Sequence, residues 1–482
     1  MSGWEPVIGL EVHVELATQT KMFCACTVSF GDPPNLHTCP VCLAHPGALP
    51  VVNQRAVEYA VRIALALGCT VRPRNVFHRK NYFYPDLPKA YQISQYDEPL
   101  AVDGAFDYWV GDERLSCRIN RVHMEEDAAK LVHSGESGRI AGSDYSLVDF
   151  NRGGTPLIEI VTEPDIASPE AAREFLNQMR NLLVELGVSQ CIMEEGQIRW
   201  DANISVRPAG STTLGVRTEL KNMNSFRFLQ QALESEIPRQ TAILEAGGTI
   251  DQETLHFDPE TGTTSSLRSK EEAHDYRYFP EPDLVPLVMD PAFVEEIRAA
   301  QPELPAARIE RFVRDYGLSR YDAFVLGAQG PLARFYEAAA SGADPKLTAN
   351  WTMGEYLAHI NATGLEPGHG HVTPARLAAL VGLVADGVIS GSAAKQVFAL
   401  MAEERAEPQE IVERHGLGQI SDEGALDAVV AWVVADNPAQ ADQFRAGKEQ
   451  LLGYFVGLVM KATQGRANPK LANDLVRKAL GK

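Results

Sequence analysis

The residues best placed to do chemistry lie in five stretches where apolar and ionisable side chains alternate. The first is Val7-Ile8-Gly9-Leu10-Glu11-Val12-His13-Val14-Glu15-Leu16. Successive side chains on a strand point to opposite faces, so Glu11, His13 and Glu15 share one face and Ile8, Leu10, Val12, Val14 and Leu16 the other. Arg121, His123 and Glu125 align in the same way, as do Arg199, Asp201, Asn203 and Ser205 further along. Residues 216–221 repeat the pattern with Arg217, Glu219 and Lys221, and residues 156–161 repeat it more weakly around Glu159. An ordinary solvated sheet face is rich in Thr, Lys and Ser. Faces that mix carboxylate, imidazole and guanidinium carry the groups that bind Mg²⁺ and phosphate.

His123-Met124-Glu125-Glu126-Asp127 adds three carboxylates and an imidazole within five residues. Carboxylates packed side by side repel unless a cation or a proton intervenes. Set beside the Glu11/His13/Glu15 face, this segment predicts a shared Mg²⁺ site. Residues 79–91 interleave cations with aromatics and hold two prolines but no glycine, so they form no Walker-type phosphate loop. They could cradle a nucleotide with Lys80 and Lys89 near its phosphates, or form an aromatic core turn with surface cations. Residues 275–283 are equally dense in polar aromatics and could seal the edge of a domain. Cys24 and Cys26, then Cys39 and Cys42, enclose twelve residues. Two close thiolate pairs across a short loop suit a tetrahedral Zn²⁺ with no vacant position, hence a structural one. Cys69, Cys117 and Cys191 read as small core residues. There is no Gly-x-Ser-x-Gly and no Cys/His nucleophile outside the zinc cluster, so the chain has no amidase apparatus of its own.

These residues need rigid elements to hold them. At 482 residues, 45% hydrophobic and 22% charged, the chain suits two to four globular domains. Residues 1–290 read as strands with a few helices. One helix starts at Ser168-Pro169-Glu170, a cap followed by proline, and ends at Gly187. A second spans about 225–246, where Pro238 should kink or split it. From 291 onward the β-branched alternation stops, and helices are expected at roughly 305–316, 319–326, 330–341, 350–361, 374–386 and 391–402. A break near 416–421 precedes a last helical block. The plan is an α+β chain: residues 1–290 as a catalytic domain, 291–415 as a helical domain and 416–482 as a helical tail domain. The net charge of −20 argues against nonspecific coating of nucleic acid, yet residues 445–482 carry eight Lys/Arg against two acids, a net +6. No targeting or membrane-spanning segment is evident, which predicts a cytoplasmic protein without a membrane partner.

Together these segments resemble one family, the B subunits of aspartyl/glutamyl-tRNA amidotransferase. The matching stretches are residues 7–16, the cysteine quartet with Pro46–Pro50, and residues 79–95, 123–127, 146–152 and 155–160. They continue through 201–205, 219–226 and 275–283, and in the tail through 447–448, 457–461 and 465–469. The resemblance implies a cradle on a mainly antiparallel, glutamine-synthetase-like sheet with a zinc-binding insert, followed by two all-α domains. It implies ATP, Mg²⁺ and structural Zn²⁺. The family phosphorylates the side-chain carboxylate of Glu or Asp mischarged on tRNA(Gln) or tRNA(Asn). Ammonia made by the A subunit, a glutaminase, then displaces the phosphate, and the C subunit clasps the other two in a heterotrimer. The helical domain and tail engage the tRNA. Carried onto this chain, Glu11, His13 and Glu125 surround Mg²⁺ with Glu159 beside them, and Glu126, Asp127 and Asp201 are second candidates. Lys80, Lys89 and Arg199 hold phosphates, and Asn203 and Lys221 complete the cofactor-binding set. The chain departs from the family at Ala44-His45, at a Gly-rich insertion over 134–144 and at Pro238.

Overall fold

All five alternating stretches become strands of one nine-stranded sheet. In chain order its strands are β1 (Trp4–Glu15), β2 (Thr70–Val71), β3 (Ala101–Val110), β4 (Glu113–Glu126), β5 (Pro156–Thr162), β6 (Ile198–Pro208), β7 (Thr218–Lys221), β8 (Glu253–Asp258) and β9 (Thr263–Ser269). They are arranged β9-β8-β7-β6-β1-β5-β4-β3-β2, antiparallel throughout except for the β7–β8 pair. This computed structural model describes residues 3–134, 143–269, 273–420, 422–463 and 465–481. Most of the Gly-rich insertion at 134–144 lies outside the described residues.

Register brings the site together. His13 pairs with Glu159 on one side and Arg199 on the other, and Glu159 pairs with His123. The row His123–Glu159–His13–Arg199 therefore crosses four adjacent strands. Glu11 sits opposite Asp201, and Asn203 opposite Glu219. A slip of one residue would send each of these groups to the apolar face. That face fixes the register: Ile8, Leu10, Val12 and Val14 are buried in the same core as Ile158, Ile160, Ile204 and Leu220. Burying such a side chain contributes about 1.5–3 kcal/mol.

Three helices supply the other half of this core: α1 (Gln54–Ala66), α2 (Pro169–Glu185) and α3 (Phe226–Glu245). Ser168 caps α2 by accepting from the Ala171 N–H at 3.1 Å, and Ser225 caps α3 through Phe228 N–H at 3.1 Å. The expected split at Pro238 does not occur, and α3 runs through it. Buried Glu236 and Gln240 tie the helix to the sheet on both sides of the proline, which offsets the lost backbone bond. A small three-stranded sheet (His78–Asn81, Tyr91–Ser94 and Phe279–Pro280) brings the 79–91 and 275–283 segments together. Arg79 locks them with two bonds of 2.7 Å to the buried Glu281.

The chain divides into two compact units, Met1–Ala306 and Ala307–Lys482. The described residues of the second form helices without strands. The helix expected at 350–361 begins earlier, at Pro345, and passes through a π-turn at Thr352–Tyr356. Pro408–His415 is a further helix that the sequence pattern does not anticipate. Helices Glu423–Asp436, Pro438–Arg445, Leu451–Ala462 and Pro469–Leu480 share a core of their own, with Leu426, Val430, Phe444, Phe455, Leu475 and Val476 buried. Among the described residues, no helix is long and apolar enough to cross a membrane.

Candidate active site

A cavity of about 530 Å³ lies on the polar face of the sheet. Glu11, His13, His123, Glu159, Asp201, Glu219 and Lys221 line it from the sheet, and Lys80, Tyr96, Tyr276 and Tyr278 line it from the segments packed above. The acids fall into two groups. His13, Glu125 and Glu159 place ligand atoms within 4.8 Å of one another, and Glu11, Asp201 and Glu219 do the same. The expected Glu11, His13 and Glu125 are thereby divided between the two groups. Glu11 and His13 share a face, but cross-strand register joins Glu11 to Asp201 and His13 to Glu159.

In the first group His13 lies 3.4 Å from Glu159 and 4.0 Å from Glu125, and His123 lies 3.3 Å and 3.8 Å from the same two acids. Burial disfavours an imidazolium at His13. Glu159, Glu125 and Asp201 outweigh it and raise the pKa to about 9. Burial likewise opposes ionisation of Glu159, yet His123 and His13 hold its carboxyl well below the usual carboxylate range. In the second group Asn203 donates to Glu11 at 2.9 Å, Thr254 donates to Glu219 at 2.9 Å, and Lys221 is paired with Asp201 and Glu219. Burial works to lower the Lys221 pKa, but these acids raise it.

Tyrosines form the facing wall. Tyr96 stacks on Tyr278 with ring centroids 4.4 Å apart, and Lys80 Nζ stands 5.0 Å from the Tyr276 ring. Sequence reasoning misses Tyr96 because it follows its strand with no pattern to mark it. Glu219 is visible in the alternation of residues 216–221, but that signal alone gives it no priority over its neighbours.

Lys89 and Arg199 do not join Lys80. Lys89 pairs with Glu126 at 2.6 Å beside a separate cavity of about 220 Å³, which Cys24, Cys42 and Lys21 also line. The cause is strand alternation: Glu126 follows Glu125 and points to the other face. Arg199 is held by Asp127 at 2.9 Å and Glu15 at 3.4 Å. Burial disfavours ionised Asp127, but Arg199 and Arg152 keep its carboxyl well below the usual range. Burial and the neighbouring Asp127 push Glu15 up to about 8. These two cations thus stand in ion pairs and do not line the cavity that Lys80 lines.

The four cysteines converge. Cys24, Cys26, Cys39 and Cys42 hold their sulfurs within 4.8 Å of one another, and Cys39 and Cys42 Sγ are 3.9 Å apart. Tetrahedral zinc with Zn–S near 2.3 Å needs sulfurs about 3.8 Å apart, so the donor set fits. The thiols compete for charge: the hydrogen bond to Cys24, backed by Lys21, lowers Cys42 to about 4, while burial raises Cys26 to about 11. Asn35 and His37 in the loop bond to Asp149, Val148 and Asn151, which braces the 146–152 segment.

The fold and site define an α+β domain with a polar, acid-rich cavity on one face of a mainly antiparallel sheet. The chain belongs to the family of the GatB/GatE catalytic domain, which matches residues 6–295; the GatB domain matches residues 333–480. At full length it is similar to the B subunit of the aspartyl/glutamyl-tRNA(Asn/Gln) amidotransferase of Carboxydothermus hydrogenoformans, 53% identical with 100% of each chain covered. The proteins of the same name from Persephonella marina (50%) and Geobacter sulfurreducens (52%) are each similar over 99% of both chains.

Proposed function

We propose that this chain is the B subunit of a tRNA-dependent amidotransferase. It converts Glu-tRNA(Gln) and Asp-tRNA(Asn) to Gln-tRNA(Gln) and Asn-tRNA(Asn), using ATP and ammonia from a glutaminase partner. The observation that carries this reading is the pair of acid clusters, each within 4.8 Å, whose His13, Glu159, Glu11, Asp201 and Glu219 line the same cavity as Lys80 and the tyrosine wall. The His13/Glu125/Glu159 and Glu11/Asp201/Glu219 clusters would each hold one Mg²⁺. The bound ions would neutralise the nucleotide phosphates and order their oxygens.

The chain's own groups do the rest. Lys80 meets a phosphate oxygen, and the exposed face of Tyr96 offers a surface for the adenine. An oxygen of the aminoacyl carboxylate attacks the γ-phosphorus and ADP leaves. Ammonia then attacks the activated carbonyl carbon, phosphate leaves, and the nitrogen loses a proton. The tRNA supplies binding energy that positions the carboxylate. The cradle is read as glutamine-synthetase-like with a structural Zn²⁺ insert, and the A and C subunits complete a cytoplasmic heterotrimer.

The cation-free protein gives a pH prediction. His13, with its pKa raised to about 9, is protonated below that pH and must lose its proton to ligate a metal. Mg²⁺ affinity at this cluster should therefore rise with pH up to about 9, by at most about tenfold per unit, and level off above. Isothermal titration across pH 6.5–9.5 reads this directly, and a flat profile would remove His13 as a ligand.

Residues 291–415 and 416–482 are assigned to tRNA engagement. The last four helices and the connection before Leu451 leave Arg445, Lys448, Lys461, Lys470, Arg477 and Lys478 exposed, with Trp432 and Tyr454 at 59% and 42% exposure able to stack on bases. Deletion from Gly416 should weaken tRNA binding by about tenfold or more in low salt and spare ATP binding, with the loss shrinking as salt rises. Equal affinity with and without the tail refutes this assignment.

The reconstituted three-subunit complex with ammonium salt tests the whole reading. ADP release and amidation should both require mischarged tRNA. Tight tRNA binding with neither product would make the chain a docking scaffold instead.

A further inference from the structure

One buried acid has no part in the chemistry above. Glu236 lies on α3, fully buried behind the sheet. Thr218 Oγ1 reaches it at 3.2 Å, Gln240 Nε2 at 2.8 Å and Thr264 Oγ1 at 3.0 Å, and Arg239 donates two bonds of 2.7 Å. Gln240, also fully buried, donates to Thr218 Oγ1 at 3.0 Å and to the Ile204 carbonyl at 3.4 Å. Glu236 and Gln240 together therefore tie β6, β7 and β9 to α3.

A buried carboxylate is costly, and an apolar residue would pack a helix on a sheet more simply. What the network holds explains its presence. β7 is four residues long and pairs with each neighbour over three. So short a strand has little register of its own. Thr218 and Leu220 point back toward α3, while Glu219 and Lys221 point into the cavity. Thr218 is the polar handle by which α3 grips this strand.

We propose that Glu236 and Gln240 are positioning residues: through Thr218 they hold β7 so that Glu219 completes the Glu11/Asp201/Glu219 cation site. The inference rests on reading that cluster as a cation site. It predicts that the network controls cation affinity at this cluster and leaves the His13/Glu125/Glu159 cluster untouched.

The experiment is a Mn²⁺ titration of the full-length chain, followed by the electron paramagnetic resonance signal of free Mn²⁺. Wild type should bind two ions, and Glu219→Gln should lose one. Thr218→Val, nearly isosteric, and Glu236→Gln should each weaken that same ion by about tenfold, as second-layer changes around metals do, and leave the other unchanged. Thr218→Ser should bind as wild type does. If Glu236→Gln does not fold, Thr218→Val still decides. Wild-type binding by Thr218→Val beside a lost ion in Glu219→Gln overturns the positioning role. A reduced folded fraction with an unmoved binding midpoint makes the network merely structural and also overturns it. Unchanged binding in Glu219→Gln overturns the cation-site reading itself, and this inference with it.

Discussion

Glu11→Gln is expected to slow ADP formation on mischarged tRNA by about 10²–10³-fold, the usual cost of losing one group that stabilises transferring charge, while tRNA affinity stays within about twofold of wild type. The substitution is nearly isosteric, and the new amide oxygen can still accept the 2.9 Å bond from Asn203. What is lost is one negative charge from a cluster whose other members are Asp201 and Glu219. Lys221, already paired with both of those acids, would then leave the cluster with too little charge to hold a divalent ion. Glu125→Gln should give a loss of similar size through the other cluster. Single-turnover ADP release at saturating and limiting Mg²⁺ separates weaker metal binding from slower transfer. A fully active Glu11→Gln enzyme would falsify the assignment of this cluster to the reaction.

Removing zinc should have the second-largest effect, on stability. Zinc bound by four thiolates contributes folding free energy directly. A loss of several kcal/mol lowers the melting temperature of a domain this size by about 10 °C, at about 2–4 °C per kcal/mol. Cys39→Ser, or complete chelation, should show it. The disturbance should be local before it is global. The zinc loop holds Asp149, Val148 and Asn151 through Asn35 and His37. Arg152, next in line, bonds to the carbonyls of Ala128 and Ala129 and lies 3.8 Å from Asp127. Hydrogen exchange should therefore speed up first at residues 24–50 and 146–154, with the helices beyond residue 307 unchanged. An unchanged melting temperature after verified zinc removal refutes a structural role.

Much of this site is legible in the one-dimensional pattern. Alternation alone assigns Glu11, His13 and Glu15, or Asp201 and Asn203, to a single polar face, because a strand's side-chain period is two and needs no knowledge of its neighbours. The Cys24/Cys26 and Cys39/Cys42 spacing implies a thiolate quartet for the same reason: short loops confine where their ends can go. Ser168, Pro169 and Gly187 mark α2 through backbone geometry that each residue carries with it. Tertiary structure decided which faces met and in what register. Those are relations between strands far apart in the chain, chosen by how the apolar side packs. Only the sheet order could divide the acids into two clusters, joining Glu11 to Asp201 across 190 residues and His13 to Glu159 across 146. Only the fold could send Lys80 into the cavity and Lys89 to Glu126, bind Arg199 to Asp127, and put Glu236 behind Glu219. A residue's type and period travel with the chain, but its charge partner is set by whichever distant segment the core brings beside it.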